Sequence, residues 1–353
     1  MTPAPVAAAR NTNTAAEGEE EIYMGYHILL TKLDNFKVCV ERGAYGGIYS
    51  TGSPKSEQMN SEVIAGFAGI KIDDFVFLYV KNVGLYGLWK VICEPFYDDK
   101  PVWNDPKQTF PYRICFVPVV REFGNPIALS DILDLRDKGK IWTFDLATFI
   151  KKSHHPITTD EGKELIRLLL RNNPIYVPTK PTPNPYMPEA KRPLPIQLDC
   201  NKKGHLSYEG YLNAWFMRAF AQGQLKEVIG DYSDFINHVP TSFNKIMDIF
   251  VTHVTNIDGV DILHNFTCIE LKTGTVTEED LNQSIMYENW LIRKLAQGDS
   301  QMVQSMLVGF DFQDKVLEYV QKRRFIEEKT VRLLKYRVTK ERDDVELTEV
   351  KFK

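Results

Sequence analysis

The stretch from Lys245 to Tyr287 reads KIMDIFVTHVTNIDGVDILHNFTCIELKTGTVTEEDLNQSIMY. Two apolar arms, IMDIFVTHV and DILHNFTCIEL, flank TNIDGV, and its Asp258-Gly259 dipeptide predicts a tight hairpin turn. Strand side chains alternate, so Glu270 and Lys272 share a face while Ile269 and Leu271 point the other way. Either of two aspartates can pair with this acid–lysine set. With Asp261 as partner the turn falls inside HNFT and the arms shrink to a few residues. With Asp248 the turn sits near Gly259, both arms are long, and Asp248 comes opposite Glu270 at the open end. A helix is expected from about Glu278 to Leu295, where Gln283 and Tyr287, four residues apart, share a face. Two acids and a lysine suit metal-assisted phosphodiester hydrolysis. Carboxylate oxygens hold Mg²⁺ (or Mn²⁺), the ion polarises phosphate and water, and the ammonium steadies developing charge. The bland alternative is a Glu270–Lys272 salt bridge, but exposed pairs of that kind contribute little.

The chain has 353 residues, which favours two domains. Hydrophobic residues make up 43% and charged residues 25%, the balance of an ordinary globular protein. A net charge of -4 and a pI near 6.0 mean that any nucleic-acid groove must be locally basic. Five scattered cysteines show no metal-ligand spacing and read as buried thiols. No apolar run approaches a membrane span, which predicts a cytoplasmic protein. Residues 1–21 read as a disordered lead-in.

A β-rich run from Ile22 and a short helix from Asn35 to Arg42, with Asp34 as cap, open the first half. GAYGGIYSTGSP reads as a glycine-rich loop. DDFVFLYVKNVGLYGLWKVICEPFY predicts two strands turning near Asn82 to Gly84, and YRICFVPVVRE another strand. Many short strands point to a small closed barrel. Helices are expected near Leu129 to Leu135 and Asp160 to Leu170, with His154-His155 in a polar loop between them. NNPIYVPTKPTPNPYMPEAKRPLPI, residues 172–196, is too rich in proline for helix or interior strand and reads as an extended connector. The expected division is therefore 22–171, a connector over 172–196, and 197–353. In the second half SYEGYLNAWFMRAFAQG predicts an amphipathic helix. After the hairpin and its helix, SMLVGFDF, DKVLEYVQKRRF and KTVRLLKYRV give an α/β alternation, with VTKERDDVELTEVKFK as a possible edge strand.

The ordered set MDI, IELK, Gln283 and Tyr287 resembles the PD-(D/E)xK nuclease superfamily, in particular its RecB-like and NucS-like branches, over about Leu206 to Val338. That resemblance implies an α/β nuclease fold, with Asp248 and Glu270 as metal ligands. Lys272 and Gln283 complete the site, and Tyr287 supports it. Such families often carry a further glutamate on the preceding helix. Glu209 is the candidate, with a solvated first-turn glutamate as the other reading. The Pro-Asp pair common in the superfamily is absent from VPTSFNKIMD.

The run Glu94-Pro95-Phe96, Pro101-Val102-Trp103 and Phe110-Pro111-Tyr112-Arg113 resembles EVE domains, relatives of YTH and other PUA-like barrels, over about Tyr26 to Leu146. This implies a PUA-like β-barrel with flanking helices that flips and reads a modified nucleobase by stacking and edge hydrogen bonds. Carried over, Trp103 is one cage aromatic and Tyr49 the other, with Tyr45 as its alternative. Ser50 and Thr51 would bond the base edge. Trp89 reads as core, Trp142 as core or pocket, and Arg113 as a partner for phosphate or a buried carboxylate. The combined expectation is an α+β two-domain, modification-dependent DNA endonuclease of restriction type. It would read a modified cytosine in double-stranded DNA and cut as a homodimer. A repair or RNA-processing nuclease, and a non-catalytic reader of modified nucleic acid, are the alternatives.

Overall fold

The chain, a computed structural model, is described at residues 23–143, 152–188 and 191–352; the expected lead-in lies outside them. In chain order the first half runs β1 (Tyr26–Thr31), α1 (Leu33–Arg42), β2 (Ala44–Tyr49), α2 (Ser56–Ala68), β3 (Phe75–Val80), β4 (Gly84–Val91), β5 (Phe96–Tyr97), β6 (Thr109–Pro118), α3 (Leu129–Asp137), β7 (His154–Ile157) and α4 (Thr159–Asn172). The second half comprises β8 (Arg192–Pro193), α5 (Glu209–Ala221), α6 (Lys226–Ile229), β9 (Asp234–Pro240), β10 (Ile246–Ile257), β11 (Val260–Leu271), β12 (Thr275–Val276), α7 (Glu278–Lys294), β13 (Val303–Gly309), β14 (Asp311–Phe312), α8 (Asp314–Ile326), β15 (Val331–Val338) and β16 (Val345–Glu349).

Mixed α+β architecture is as expected. The first sheet has the order β7-β1-β3-β4-β6-β5-β8, with β2 on the free edge of β6. It curls into a half-barrel. Among the described residues no backbone ladder joins the edge strands β7 and β2, so the closed barrel expected above is open along that seam. The glycine-rich segment read as a loop is strand β2. Its glycines answer crowding, since a Cβ on Gly46 would lie 2.8 Å from both the Trp103 ring and the Phe110 carbonyl oxygen. Two further readings are corrected here. Asp34 lies inside α1 and does not cap it, because the N-cap is Lys32 and no side chain bonds there. His154 and His155 are buried strand residues: β7 completes the sheet beside β1, and His154 shares a hydrogen bond of 3.0 Å with His27.

The second sheet has the order β16-β15-β13-β11-β10-β9. Strands β11, β13 and β15 are parallel, crossed over by α7 and α8, while β9, β10 and β16 run antiparallel to their neighbours. The β10–β11 hairpin turns at Asp258 (φ 52°) and Gly259 (φ 83°), the paired positive angles that a tight hairpin turn demands. The terminal edge strand is present as β16.

One hydrophobic cluster spans both sheets. It runs from Leu29 and Val76 through Ile64 and Phe67 of α2 to Tyr211 and Trp215 of α5, then to Ile249, Ile269 and Met306. Trp142 also bridges the halves, packing edge-on against Phe250 and Trp290 of the second sheet and its helix. The proline-rich segment is extended and lies along the first sheet. Arg192–Pro193 pairs with Phe96–Tyr97, and Pro178 bridges to Arg121. Tyr186 of that segment is buried between Arg113 and Asp98, so Arg113 serves a buried carboxylate. Trp89 is core, packed on Phe116.

Candidate active site

The hairpin register is Ile249 opposite Ile269, which continued one step sets Asp248 against Glu270 at the open end. Asp261 pairs with Asn256 at the far end and accepts hydrogen bonds from Asn256 and Tyr23. Asp248 is fixed by its own hairpin, because the Leu271 backbone N–H donates to Asp248 Oδ2 at 2.7 Å. Lys272 Nζ reaches Glu270 Oε1 at 2.8 Å and Glu209 Oε2 at 3.6 Å. From α7, Gln283 Nε2 donates to Glu270 Oε1 at 2.7 Å and to the Tyr287 hydroxyl at 2.9 Å, and that hydroxyl donates to the Ile246 carbonyl. Asp248, Glu270, Lys272, Gln283, Tyr287 and Glu209 are thus brought into one cluster from β10, β11, α7 and α5.

The electrostatics are lopsided. Burial, then the neighbouring Glu270, pushes the Asp248 carboxyl up to about 8. Burial followed by Asp248 pushes Glu209 up to about 7, against the pull of Lys272. Burial also raises Glu270, against the opposing pull of Lys272. For Lys272 burial disfavours the ammonium, but Glu270, Asp248 and Glu209 together outweigh it and hold the lysine charged. Three carboxylates therefore face one ammonium. Glu270 Oε2 is buried with no hydrogen-bond partner among the described residues, an expensive arrangement for a polar atom.

Among the described residues no set of three His, Cys, Asp or Glu side chains converges as a metal site. Mg²⁺ does not require one: it is commonly held by one or two carboxylates, with waters and substrate phosphates filling the remaining positions. The orphaned Glu270 oxygen and the Asp248 carboxyl beside it, whose proton a bound cation would displace, fit a hard divalent cation.

Two supporting asparagines were not read from the sequence. Asn237 of β9 donates to Asn213 of α5 at 3.1 Å, and Asn213 donates to the Asp248 carbonyl at 3.3 Å. The signal was present in YLNAWF, where Asn213 is a lone polar residue inside an apolar helix run.

The base-reading residues divide. Trp103, 7% exposed, lines a cavity of about 110 Å³ at the open seam together with Tyr45, Phe110, Asn35 and Cys39. Its ring meets Phe110 edge-on and lies over the Arg113 guanidinium. The Tyr45 hydroxyl donates to the Leu30 and Ser153 carbonyls, fixing the ring on that wall. Tyr49, 38% exposed, points elsewhere, edge-on to Tyr112 in a separate cavity of about 310 Å³ with Glu57 and Tyr211. A strand explains the split, because Tyr45 and Tyr49 are separated by an irregularity in the β2–β6 ladder between Gly47 and Tyr49. Ser50 is tied to Asn60 on α2 and Thr51 is exposed, so neither lines the Trp103 cavity.

No protein-family model matches the chain, and no curated protein matches it. Among solved structures it is similar to Rpa0253 from Rhodopseudomonas palustris, an NMR structure, at 16% identity over 41% of this chain and 92% of that one, with a TM-score of 0.27. It is likewise similar to Atu2648 from Agrobacterium tumefaciens, a crystal structure, at 20% identity over 42% and 96% of the two chains, again with a TM-score of 0.27. Among the described residues no helix is long and apolar enough to cross a membrane.

Proposed function

We propose that the chain is a metal-dependent endonuclease of the PD-(D/E)xK type whose PUA-like first half selects a modified cytosine in double-stranded DNA. The observation that carries the hydrolytic reading is the crowding of acids at the hairpin's open end: three carboxyl groups raised by burial and by one another, one ammonium, and a buried Glu270 oxygen without a partner among the described residues. Asp248 and Glu270 would hold Mg²⁺ or Mn²⁺, which when bound polarises the phosphate and acidifies water. The remaining work falls to the chain's own groups. Lys272, held protonated, stabilises negative charge on the scissile phosphate. Gln283 fixes the Glu270 carboxylate through Oε1 and leaves Oε2 pointing inward, and Tyr287 fixes Gln283 in turn. Glu209 flanks the lysine from α5.

The choice of modified cytosine rests on the EVE resemblance. Trp103 and Tyr45 are the pair that supports stacking, because they share one cavity. Cutting both strands calls for two such centres, hence a homodimer of restriction type. The test is incubation of duplexes carrying 5-methylcytosine, 5-hydroxymethylcytosine or plain cytosine with Mg²⁺ or Mn²⁺. Cleavage confined to a modified duplex is expected. Equal cutting of all three removes the reading role, and no cutting of any removes the nuclease.

A further inference from the structure

The cavity that holds Trp103 and Tyr45 shares a wall with a second cavity of about 190 Å³ between the two sheets. The shared wall is Ile48, Lys152 and Ser153, and the far side of the second cavity is Asn237 and His238 of β9. Strand β9 pairs with β10 at Met247–Val239 and Ile249–Asn237, so the position between them sets His238 beside Asp248. His238 holds φ at 55°, the left-handed region, where the ladder skips a pair. The two cavities therefore run from Trp103, past Lys152, to His238, whose strand position lies beside that of Asp248.

Lys152 makes no hydrogen bond or ion pair among the described residues, although it is largely withdrawn from water. The carboxylates in its field are Glu62, on the wall of the same cavity, and Asp248. Burial, partly offset by Glu62 and Asp248, lowers its pKa to about 8. His154 and His155 line the cavity as well, with His154 held by His27. A sheltered ammonium with no ion pair among the described residues gains from an arriving anion, and a lysine is a compact point charge suited to phosphate.

We propose that Lys152 and His238 form a phosphate station that carries one nucleic-acid strand from the Trp103 pocket to the Asp248–Glu270 site. On the nuclease reading, the base read and the bond cut would then lie on the same strand, a few nucleotides apart, within a single copy of the chain. The proposal rests on the reading of the chain as a nucleic-acid-binding protein, but not on its cutting.

The experiment measures fluorescence anisotropy of a short single-stranded oligonucleotide carrying one modified cytosine, in EDTA so that nothing is cleaved, over a salt series. Against the unaltered chain, Lys152→Gln is expected to weaken binding about tenfold and to lower the salt slope by about 0.7, the loss of one phosphate contact on a single strand. Lys152→Arg should restore most of both. Binding of the free modified nucleoside should not change, since it has no phosphate. His238→Asn, which tolerates the positive φ, should weaken binding severalfold and gives a second reading should Lys152→Gln fail to fold. Unaltered affinity and slope in both variants overturn the proposal. So does loss of nucleoside binding in Lys152→Gln, which would make the lysine part of the base pocket, or an effect seen with inorganic phosphate as competitor and absent with the oligonucleotide. If the oligonucleotide binds with the expected slopes while no duplex is ever cut, the nuclease reading fails and the station stands.

Discussion

Replacing Asp248 by asparagine is expected to stabilise the metal-free protein while destroying its activity. An aspartate carboxyl ordinarily titrates near 3.8, whereas burial and then Glu270 push this one up to about 8. A pKa raised by folding means that the folded chain holds the proton more tightly than the unfolded chain. The stabilisation is complete below the unfolded pKa and is lost as pH rises through the folded one. At neutral pH about three pH units of that loss have accrued, and at ~1.36 kcal/mol per unit this is about 4 kcal/mol, or about 2 kcal/mol after allowing for partial exposure of the side chain. Asparagine has no charge to bury, and its Oδ1 can still accept the Leu271 N–H. Urea unfolding in EDTA at about pH 5, 7 and 9 should show Asp248→Asn more stable at the upper values, with the gap closing on acidification. Added Mg²⁺ should then raise the unaltered chain by mass action and leave the variant nearly unmoved. A variant less stable than the unaltered chain at the highest pH, or a gap that widens in acid, would refute the reasoning.

Other perturbations separate the site from its scaffold. Gln283→Leu removes the donor that fixes Glu270 and the partner of Tyr287, and cleavage should fall about 10–100-fold with oligonucleotide affinity unchanged. Arg323→Met leaves the fully buried Glu288 with Lys329 and Ser305 but without its main partner, and should lower unfolding stability by about 3 kcal/mol. Gly259→Ala, at a φ of 83°, should cost about 1 kcal/mol of unfolding free energy in urea and leave cleavage intact, because the turn lies at the opposite end of the hairpin from Asp248.

The hairpin was legible because two signals agreed, a pair of long apolar arms and an Asp-Gly dipeptide that located the turn, whereas the irregularity after His253 that shifts the ladder by one residue has no local sequence signal. With that shift Asp248 comes opposite Glu270. Helix α2 escaped notice for the opposite reason. SEQMNSEVIAGFA is wedged between the first sheet and α5, so its buried positions surround much of the helix and leave no polar stripe to mark a period. Strand β2 was hidden by its glycines, which read as a loop but are required by Trp103 and Phe110 pressing on the backbone. Reading β2 as a loop also favoured Tyr49 for the pocket, whereas the strand sets Tyr45, the alternative, in the same cavity as Trp103. The extended connector was visible in its prolines, but its docking on β5 and around Arg113 depends on long-range partners that local composition does not encode.

The central claim is that Lys272 belongs to a hydrolytic centre and is more than one half of a salt bridge. Single-turnover cleavage of a modified duplex by the unaltered chain and by Lys272→Ala, with saturating Mg²⁺, tests it most directly. The account predicts a rate lower by about 10²–10³-fold in Lys272→Ala, with duplex affinity nearly unchanged. Cleavage by Lys272→Ala within a fewfold of the unaltered rate would contradict it.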